Sequence, residues 1–418
     1  MLTAIVSLSA LLVIVIMSCL FPKINPGLLA LVAALAIGIY GAGFSAKEIV
    51  SSFPAELFIL LVSMSTIFGI AQKNGTLDVV TQYAVQLIKG EVLLFPLLVF
   101  VLAFLLSALG PGNIAAVALL APLVMSLAQK HTISPLVVAI MLCTGANAGA
   151  FSPFSPTGVV MIGLLQQIEL NTNLIWTVFG ASAVLQSLSA LSAYGIFLFR
   201  TKKRGLVSKE VSTHFQETKL ILKQKISLVA ILVLVLGVTV GQVPLLVMAT
   251  TTAAVMFLLN LAEEEEVIST VPWSTIQMVT GIAVLIGLME KTGGLDLATT
   301  FIAQVTSTTV IHGVLAFVSG AVSAYSSSSG VVLPAFVPLL PGLAAKMSIS
   351  NTVPMAVAVA VGSHMVDVSP LSTLGALSLA AVKNPNEQKR LFTWLMAWGM
   401  SMSVVAGLLA FLFLDLWF

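Results

Sequence analysis

The chain contains one half twice. Gly69-Ile-Ala-Gln-Lys-Asn-Gly-Thr-Leu-Asp78 returns as Gly287-Leu-Met-Glu-Lys-Thr-Gly-Gly-Leu-Asp296. Ser107-Ala108, followed by Pro122-Leu123, returns as Ser323-Ala324, followed by Pro338-Leu339. Ser152-Pro-Phe-Ser-Pro-Thr-Gly158 returns as Ser369-Pro-Leu-Ser-Thr-Leu-Gly375. The offsets are 218, 216 and 217 residues, in one order. Three matches at nearly one spacing require a duplicated unit of roughly 200 residues. Any fold for this chain must be assembled from two similar halves.

Polarity says where those halves live. Hydrophobic residues make up 59% of the chain and charged residues 8%, against about a quarter charged in soluble domains. No globule of this size hides that much apolar surface, so the chain is expected in a bilayer. A net charge of +2 offers no basic field for nucleic acid. Cys19 and Cys143 both fall in apolar stretches, which argues against a disulfide framework and a metal cluster. Met1 to Phe21 is long enough to span and lacks a positive leader and an Ala-x-Ala site, so it reads as the first span rather than a cleaved signal.

Apolar stretches near twenty residues predict about ten spanning helices, at 3–21, 27–44, 54–72, 135–168, 173–199, 226–244, 246–262, 272–290, 352–382 and 391–416. Two further stretches, 92–128 and 308–343, are interrupted at Gly110-Pro111-Gly112-Asn113 and at Ser326-Ser-Ser-Ser-Gly330. Each reads as two full spans or as a re-entrant hairpin. Stretches 76–90 and 297–308 read as interfacial helices. The Lys73/Asp78 and Lys291/Asp296 pairs read as helix ends stopped by Gly75 and Gly293. Glu263–Glu266 reads as a solvated loop. His131, His214 and His312 read as loop or interface residues.

The longest polar stretch, 200–225, carries eight basic residues from Arg200 to Lys225. The positive-inside bias makes it a cytoplasmic linker. Threading outward from it places fifteen of the eighteen basic residues inside. Five crossings per half then invert the second repeat, 226–418, relative to the first, 1–199. The expected class is an all-α polytopic membrane protein with an inverted-topology repeat. It has two hairpins and discontinuous helices at the midplane, and it lies multi-pass in the cell (inner) membrane.

Irregular backbone survives in hydrocarbon only where protein buries it or where it lines a wet cavity. Four segments cannot stay helical: the two hairpin tips, and the breaks at Ser152–Gly158 and Ser369–Gly375. A proline costs a helix interior about 3 kcal/mol and removes a donor. Ser155 is expected as an N-cap with Pro156 at the first helical position, and Ser372 as its counterpart. Asn113 and Ser329 are expected to cap the second legs of the hairpins. Four helix N-termini at depth suit a small anion, and the freed carbonyls suit a cation. A single kink in a membrane helix is ordinarily structural, and small residues ease packing. Two matched pairs of breaks at one offset favour a site, and such a pattern points to a secondary transporter.

The halves differ at the second break. Asn147 corresponds to His364, and Ala150 to Asp367. A charge at that depth costs about 2.5–3.5 kcal/mol on insertion scales, so an intramembrane carboxylate is a functional candidate. His364 and Asp367 share a face if the helix continues. They read either as a proton relay or cation site, or as a pair that holds the break in shape. All three arginines lie at the cytoplasmic edge, so no guanidinium is expected at depth.

Gly112-Asn113-Ile-Ala-Ala-Val-Ala-Leu-Leu-Ala-Pro122 and Cys143-Thr-Gly-Ala-Asn-Ala-Gly-Ala-Phe-Ser-Pro-Phe-Ser-Pro-Thr-Gly158 resemble the ion transporter superfamily. Within it they are most similar to the malonate-type dicarboxylate carriers and the divalent anion:sodium symporters. The resemblance implies a scaffold and a mobile transport domain, a homodimer, and elevator-type alternating access. It implies uptake of a small dicarboxylate with sodium or protons. Asn113 then takes the first tip's asparagine position and Ser329 the second's, while Gly112 and Ile114 depart from the pattern.

Asn113, Ser155, Pro156, Thr157, Ser329, Ser372 and Thr373 are accordingly expected to bind substrate. Gly112, Asn113, Asn147, Ser152, Ser328, Ser329, His364, Asp367 and Ser369 are expected to bind or couple the cation. No further cofactor and no resident metal are expected. A cation/proton antiporter and an oxyanion or metalloid efflux carrier of the same superfamily stay open. A membrane enzyme is disfavoured, since no nucleophile–base pair is evident.

Overall fold

The computed structural model describes residues 1–418 apart from 22–23, 87–89, 92, 131–132, 204–209, 212–219, 383 and 418. Much of the basic linker therefore lies outside the described residues, as do Lys23, Lys89, His131, His214 and Lys383. The described chain is helical, with one two-residue antiparallel pairing of Gly90–Glu91 with Glu210–Val211.

The first half runs α1 (Leu2–Leu20), α2 (Pro26–Ala36, continued by a π turn at Ile37–Gly41), α3 (Ala46–Val50), α4 (Ala55–Lys73) and α5 (Thr76–Gln86). A helical hairpin follows, α6 (Phe95–Leu109) and α7 (Gly112–Lys130), and then α8 (Pro135–Gly149), α9 (Pro156–Gln167) and α10 (Leu174–Lys203). The second half repeats that order. It runs α11 (Leu222–Thr239), α12 (Leu245–Leu258), α13 (Glu264–Ile268), α14 (Trp273–Thr292), α15 (Gly294–Val305) and α16 (Ile311–Ser323). A π turn at Ser328–Val332 leads into α17 (Leu333–Phe336), a 3₁₀ turn and α18 (Leu340–Met347). Then come α19 (Val353–Met365), α20 (Thr373–Ala380) and α21 (Pro385–Trp417). From α1 to α9, each element starts between 216 and 220 residues before its counterpart.

The halves also exchange contacts. α2 packs on α14 while α12 packs on α4, and α10 reaches α19 while α21 reaches α8. Small residues make the first of these possible. A Cβ on Gly27 would lie 1.9 Å from the Gln277 carbonyl oxygen, and one on Gly281 would lie 2.1 Å from that of Gly27, so the two backbones touch.

Prolines set the texture of the hairpins. The second leg of the first hairpin holds only Pro122 and stays one helix. Its counterpart holds Pro334, Pro338 and Pro341, which remove a donor every three or four residues. It is accordingly segmented into π, α and 3₁₀ turns.

Among the described residues seven helices are long and apolar enough to cross a membrane: Ala55–Lys73, Gly112–Gln129, Leu174–Phe199, Leu222–Thr239, Trp273–Thr292, Ser328–Met347 and Pro385–Leu414. Two of the seven are hairpin legs, and five expected spans are absent from them: 3–21, 27–44 and 246–262 form shorter apolar helices, and the 135–168 and 352–382 stretches are each two short helices of 8–15 residues. At 1.5 Å per residue, none of these pieces reaches the roughly 30 Å of a hydrocarbon core.

The polarity gradient is inside-out relative to a soluble protein. Leu12, Leu28, Leu188, Val229 and Leu408 are exposed on the outside, while Asn113, Asn147, Asp367 and many serines are buried. Three readings need correction. Glu264–Glu266 open a short helix, α13, where three carboxylates complement the N-terminal dipole. α15 starts at Gly294, three residues earlier than expected. His312 is buried in the first turn of α16 rather than lying in a loop.

Candidate functional site

Each break is built by the same local bonds. Ser152 N–H donates to the Gly149 carbonyl at 3.1 Å, and Ser155 N–H to that of Ser152 at 3.0 Å. At the equivalent positions Ser369 N–H donates to the Val366 carbonyl at 2.8 Å, and Ser372 N–H to that of Ser369 at 3.0 Å. The hydroxyls of Ser155 and Ser372 reach back to the carbonyls of Ala150 and Asp367, again equivalent positions. Ser155 caps α9 as expected, accepting from Gly158 N–H, with Pro156 at the first helical position.

Three other caps differ from the expectation. Ser372 precedes α20, but its side chain makes no cap bond, while its hydroxyl donates to the Asp367 carbonyl. The second tip is capped by Ser327, which accepts from Gly330 N–H at 3.0 Å, while Ser329 sits inside the π turn. Asn113 lies one residue inside α7, whose first residue is Gly112. Its oxygen accepts from Ile114 N–H at 3.0 Å, and its amide points inward.

That amide begins a buried polar network through all four interrupted segments. Asn113 Nδ2 donates to Asn147 Oδ1 at 2.8 Å. Asn147 Nδ2 donates to the His364 carbonyl at 2.8 Å and lies 3.5 Å from Asp367 Oδ2. Ser328 Oγ donates to Asp367 Oδ1 at 2.7 Å. Ser323 Oγ lies 2.6 Å from both Ser328 Oγ and the Ser363 carbonyl oxygen. Among the described residues Asp367 meets only neutral donors and forms no ion pair.

The expected His364–Asp367 pairing is not formed. α19 ends at Met365, so the two side chains diverge. His364 Nδ1 instead faces Ser363 Oγ at 2.9 Å and the Ala360 carbonyl at 3.1 Å. Its ring centre lies 4.5 Å from that of Phe151. Ser152 Oγ donates to the Ala108 carbonyl at 2.6 Å, tying the first break to its hairpin. Ser369 makes no such tie, and its hydroxyl lies 3.9 Å from Met396 sulfur.

Beside the network lies a cleft of about 170 Å³. The first tip, from Gly110 to Ala115, forms one side, and Pro156 and Thr157 of α9 and Ser329 of the second tip complete it. The tip takes this shape because two glycines allow it. Gly110 has φ 139°, and its missing Cβ would stand 1.7 Å from the Phe68 ring. Gly112 has φ 82°, and its missing Cβ would stand 2.8 Å from Pro156 Cδ. Only glycine fits there. Ser372 and Thr373 do not line the cleft, and Thr373 is exposed.

The sequence reading missed four polar lining residues: Ser65 and Gln72 from α4, and Thr270 and Thr275 around the start of α14. It also missed Ser323 in the network. Ser323 belongs to a repeated pair and Gly69 opens a repeated block, so the repeat itself was the available signal. Three helix N-termini thus reach the cleft, those of α7, α9 and α14, and among the described residues no charged side chain lines it. Each N-terminus contributes a partial positive charge of about half a unit. Neutral donors and dipoles of this kind hold a small anion. A volume below the roughly 300–1,000 Å³ of drug-sized sites restricts the cleft to small ligands. Among the described residues no group of three His, Cys, Asp or Glu is placed to hold a metal ion.

No curated protein matches the chain. Its fold is similar to that of the YdaH transporter of Alcanivorax borkumensis, a crystal structure with an unusual topology, at a TM-score of 0.60 and 13% identity over 88% of each chain. Residues 1–150 match the family model described as the N-terminus of the dicarboxylate carrier protein MatC. That stretch holds the first tip and α8 and stops two residues short of the first break. The chain is therefore similar in its first 150 residues to the N-terminal family model of the MatC dicarboxylate carrier protein and in its fold to a solved transporter structure.

Proposed function

We propose that this chain is a secondary active transporter that takes up a small dicarboxylate, of malonate or succinate size, together with sodium or protons. The observation that carries the reading is the cleft, where three helix N-termini and neutral donors converge with no charged side chain. Asn113, Pro156, Thr157 and Ser329 would hold the substrate there. Ser155 would shape the α9 terminus, and Ser372 and Thr373 would serve the second break. The MatC likeness supports the dicarboxylate class.

Asp367 would be the coupling group. A buried carboxylate without a cationic partner is costly, and binding a proton or a metal cation relieves that cost. Asn113, Asn147, Ser323 and Ser328 would transmit its state to both tips, with Gly112, Ser152, Ser329, His364 and Ser369 shaping the surrounding backbone. The recurring element order and the exchanged contacts support an inverted repeat with re-entrant hairpins. The family resemblance supports elevator-type movement in a homodimer, with the 200–225 linker cytoplasmic in the inner membrane.

Counterflow in proteoliposomes tests the reading. Labelled malonate or succinate should accumulate under a sodium or proton gradient, and exclusion of both under both gradients refutes the substrate class. A cation/proton antiporter is the second reading, favoured by the unpaired burial of Asp367. It requires cation exchange without any carboxylate, which the same vesicles report. An oxyanion would also suit neutral donors, and a competing oxyanion in the counterflow assay separates it.

A further inference from the structure

One wall of the cleft belongs to α4, and its chemistry is unexplained by packing. Ser65, Phe68, Gly69 and Gln72 stand at helical spacings of three, four and seven, so they share one face, and all four line the cleft. A hydroxyl in an apolar helix ordinarily bonds the carbonyl one turn back. Thr144, Ser187, Ser227, Thr250, Thr280 and Thr299 all do so here. Ser65 does not. It is 8% exposed, and its Oγ has no hydrogen-bond partner among the described residues. A buried hydroxyl left without a partner destabilises the fold, and this one belongs to a residue that lines the cleft. Two turns on, the exposed Gln72 brings an amide to the same face. Thr275, in the first turn of α14, lines the cleft beside them.

We propose that Ser65 and Gln72, with the N-terminus of α14 at Thr275, form a second-carboxylate subsite that makes the cleft selective for dicarboxylates over monocarboxylates. The inference rests on the dicarboxylate reading and adds the residues that recognise the second charge. With no cationic side chain among the described residues of the cleft, each carboxylate is met by N–H dipoles and neutral donors. The first tip and α9 supply one such set through Asn113 and Thr157. α4 and α14 supply the other. A monocarboxylate uses only the first.

The test is binding to the purified full-length protein in nanodiscs, with malonate and succinate set against propionate and butyrate. Ser65→Ala deletes a hydroxyl that bonds nothing, so the unliganded melting temperature should stay level or rise. Dicarboxylate Kd should rise roughly tenfold, the loss expected for a hydrogen bond to a charged group. Monocarboxylate Kd should stay within about twofold, because no such bond is lost there. Gln72→Ala, at an exposed position, should show the same split and stands independently if Ser65→Ala folds poorly. Unchanged dicarboxylate binding in both variants overturns the proposal and leaves the carrier reading intact. Parallel weakening of both ligand classes overturns it too, because a general contact is then the cause. Failure of the unsubstituted protein to bind any dicarboxylate removes the carrier reading itself, and the subsite falls with it.

Discussion

The two hairpin tips occupy equivalent places in the two halves and share the work unequally: both are tied to the buried network and both line the cleft, the second through Ser329 and the first along its whole length. The first tip, Gly110 to Asn113, opens onto the cleft and presents the start of α7 to it. The second tip is tied down: Ser328 donates to Asp367, and Ser323 to the Ser363 carbonyl. The position equivalent to Asp367 in the first half is Ala150, which offers nothing to hold a tip. Duplication supplies the breaks, and one carboxylate present in a single copy holds the second tip by a hydroxyl, where the first is held by the amide of Asn147. The lesson is that equal backbones need not make equal sites. A buried acceptor draws neighbouring hydroxyls to itself because leaving it unmet costs more than giving up exposure.

That comparison can be broken, beginning with the largest effect. Asp367→Asn keeps an acceptor for Ser328 and removes the charge. Gradient-driven accumulation should fall roughly tenfold or more, within the usual range of coupling, while substrate counterflow persists. If accumulation survives, the second tip is only structural.

Gly110→Ala attacks the first tip. A side chain at φ 139° carries about 1–3 kcal/mol of backbone strain, and the methyl meets the Phe68 ring as well. Thermal unfolding should show the loss. Adding Phe68→Ala should recover the contact part but not the strain. Asn147→Ala cuts the link between the tips, leaving Asn113 Nδ2 and the His364 carbonyl without this partner, at about 1–3 kcal/mol for a buried group left unmet. A loss of substrate affinity beyond the loss of stability would place Asn147 in the site's shape rather than only in its fold.

The smallest effect is the most direct comparison of the breaks. Ser155→Ala removes a working cap and should cost about 1 kcal/mol. Ser372→Ala removes no cap bond and should cost about half as much, with the difference read by paired denaturation curves. Equal costs would show that the shared bonds to Ala150 and Asp367, not the caps, carry both residues.

Much of this was legible in the chain because local rules are short-ranged. Ser155 with Pro156 could be read as a helix start, since an N-cap and a first-turn proline act within four residues. Gly75 and Gly293 could be read as helix stops, and both have positive φ. The second tip was misassigned by two residues because four consecutive serines each can cap, and only Asp367, 39 residues away from Ser328, selects between them. His364 and Asp367 share a face only on a continuous helix, and the backbone turns after Met365.

The sequence by itself determined that the protein is two similar, membrane-compatible helical halves, interrupted at matching proline, glycine and serine clusters. Periodicity, propensity and polarity act through neighbours in the chain, and those neighbours are written there. Only the tertiary structure decided which interruptions meet. The faces of α4 and α14 that complete the cleft, the thread from Asn113 to Ser328, and the idle hydroxyl of Ser65 all depend on how helices from opposite halves pack. That packing is set by shape and by satisfying buried polar groups across long separations.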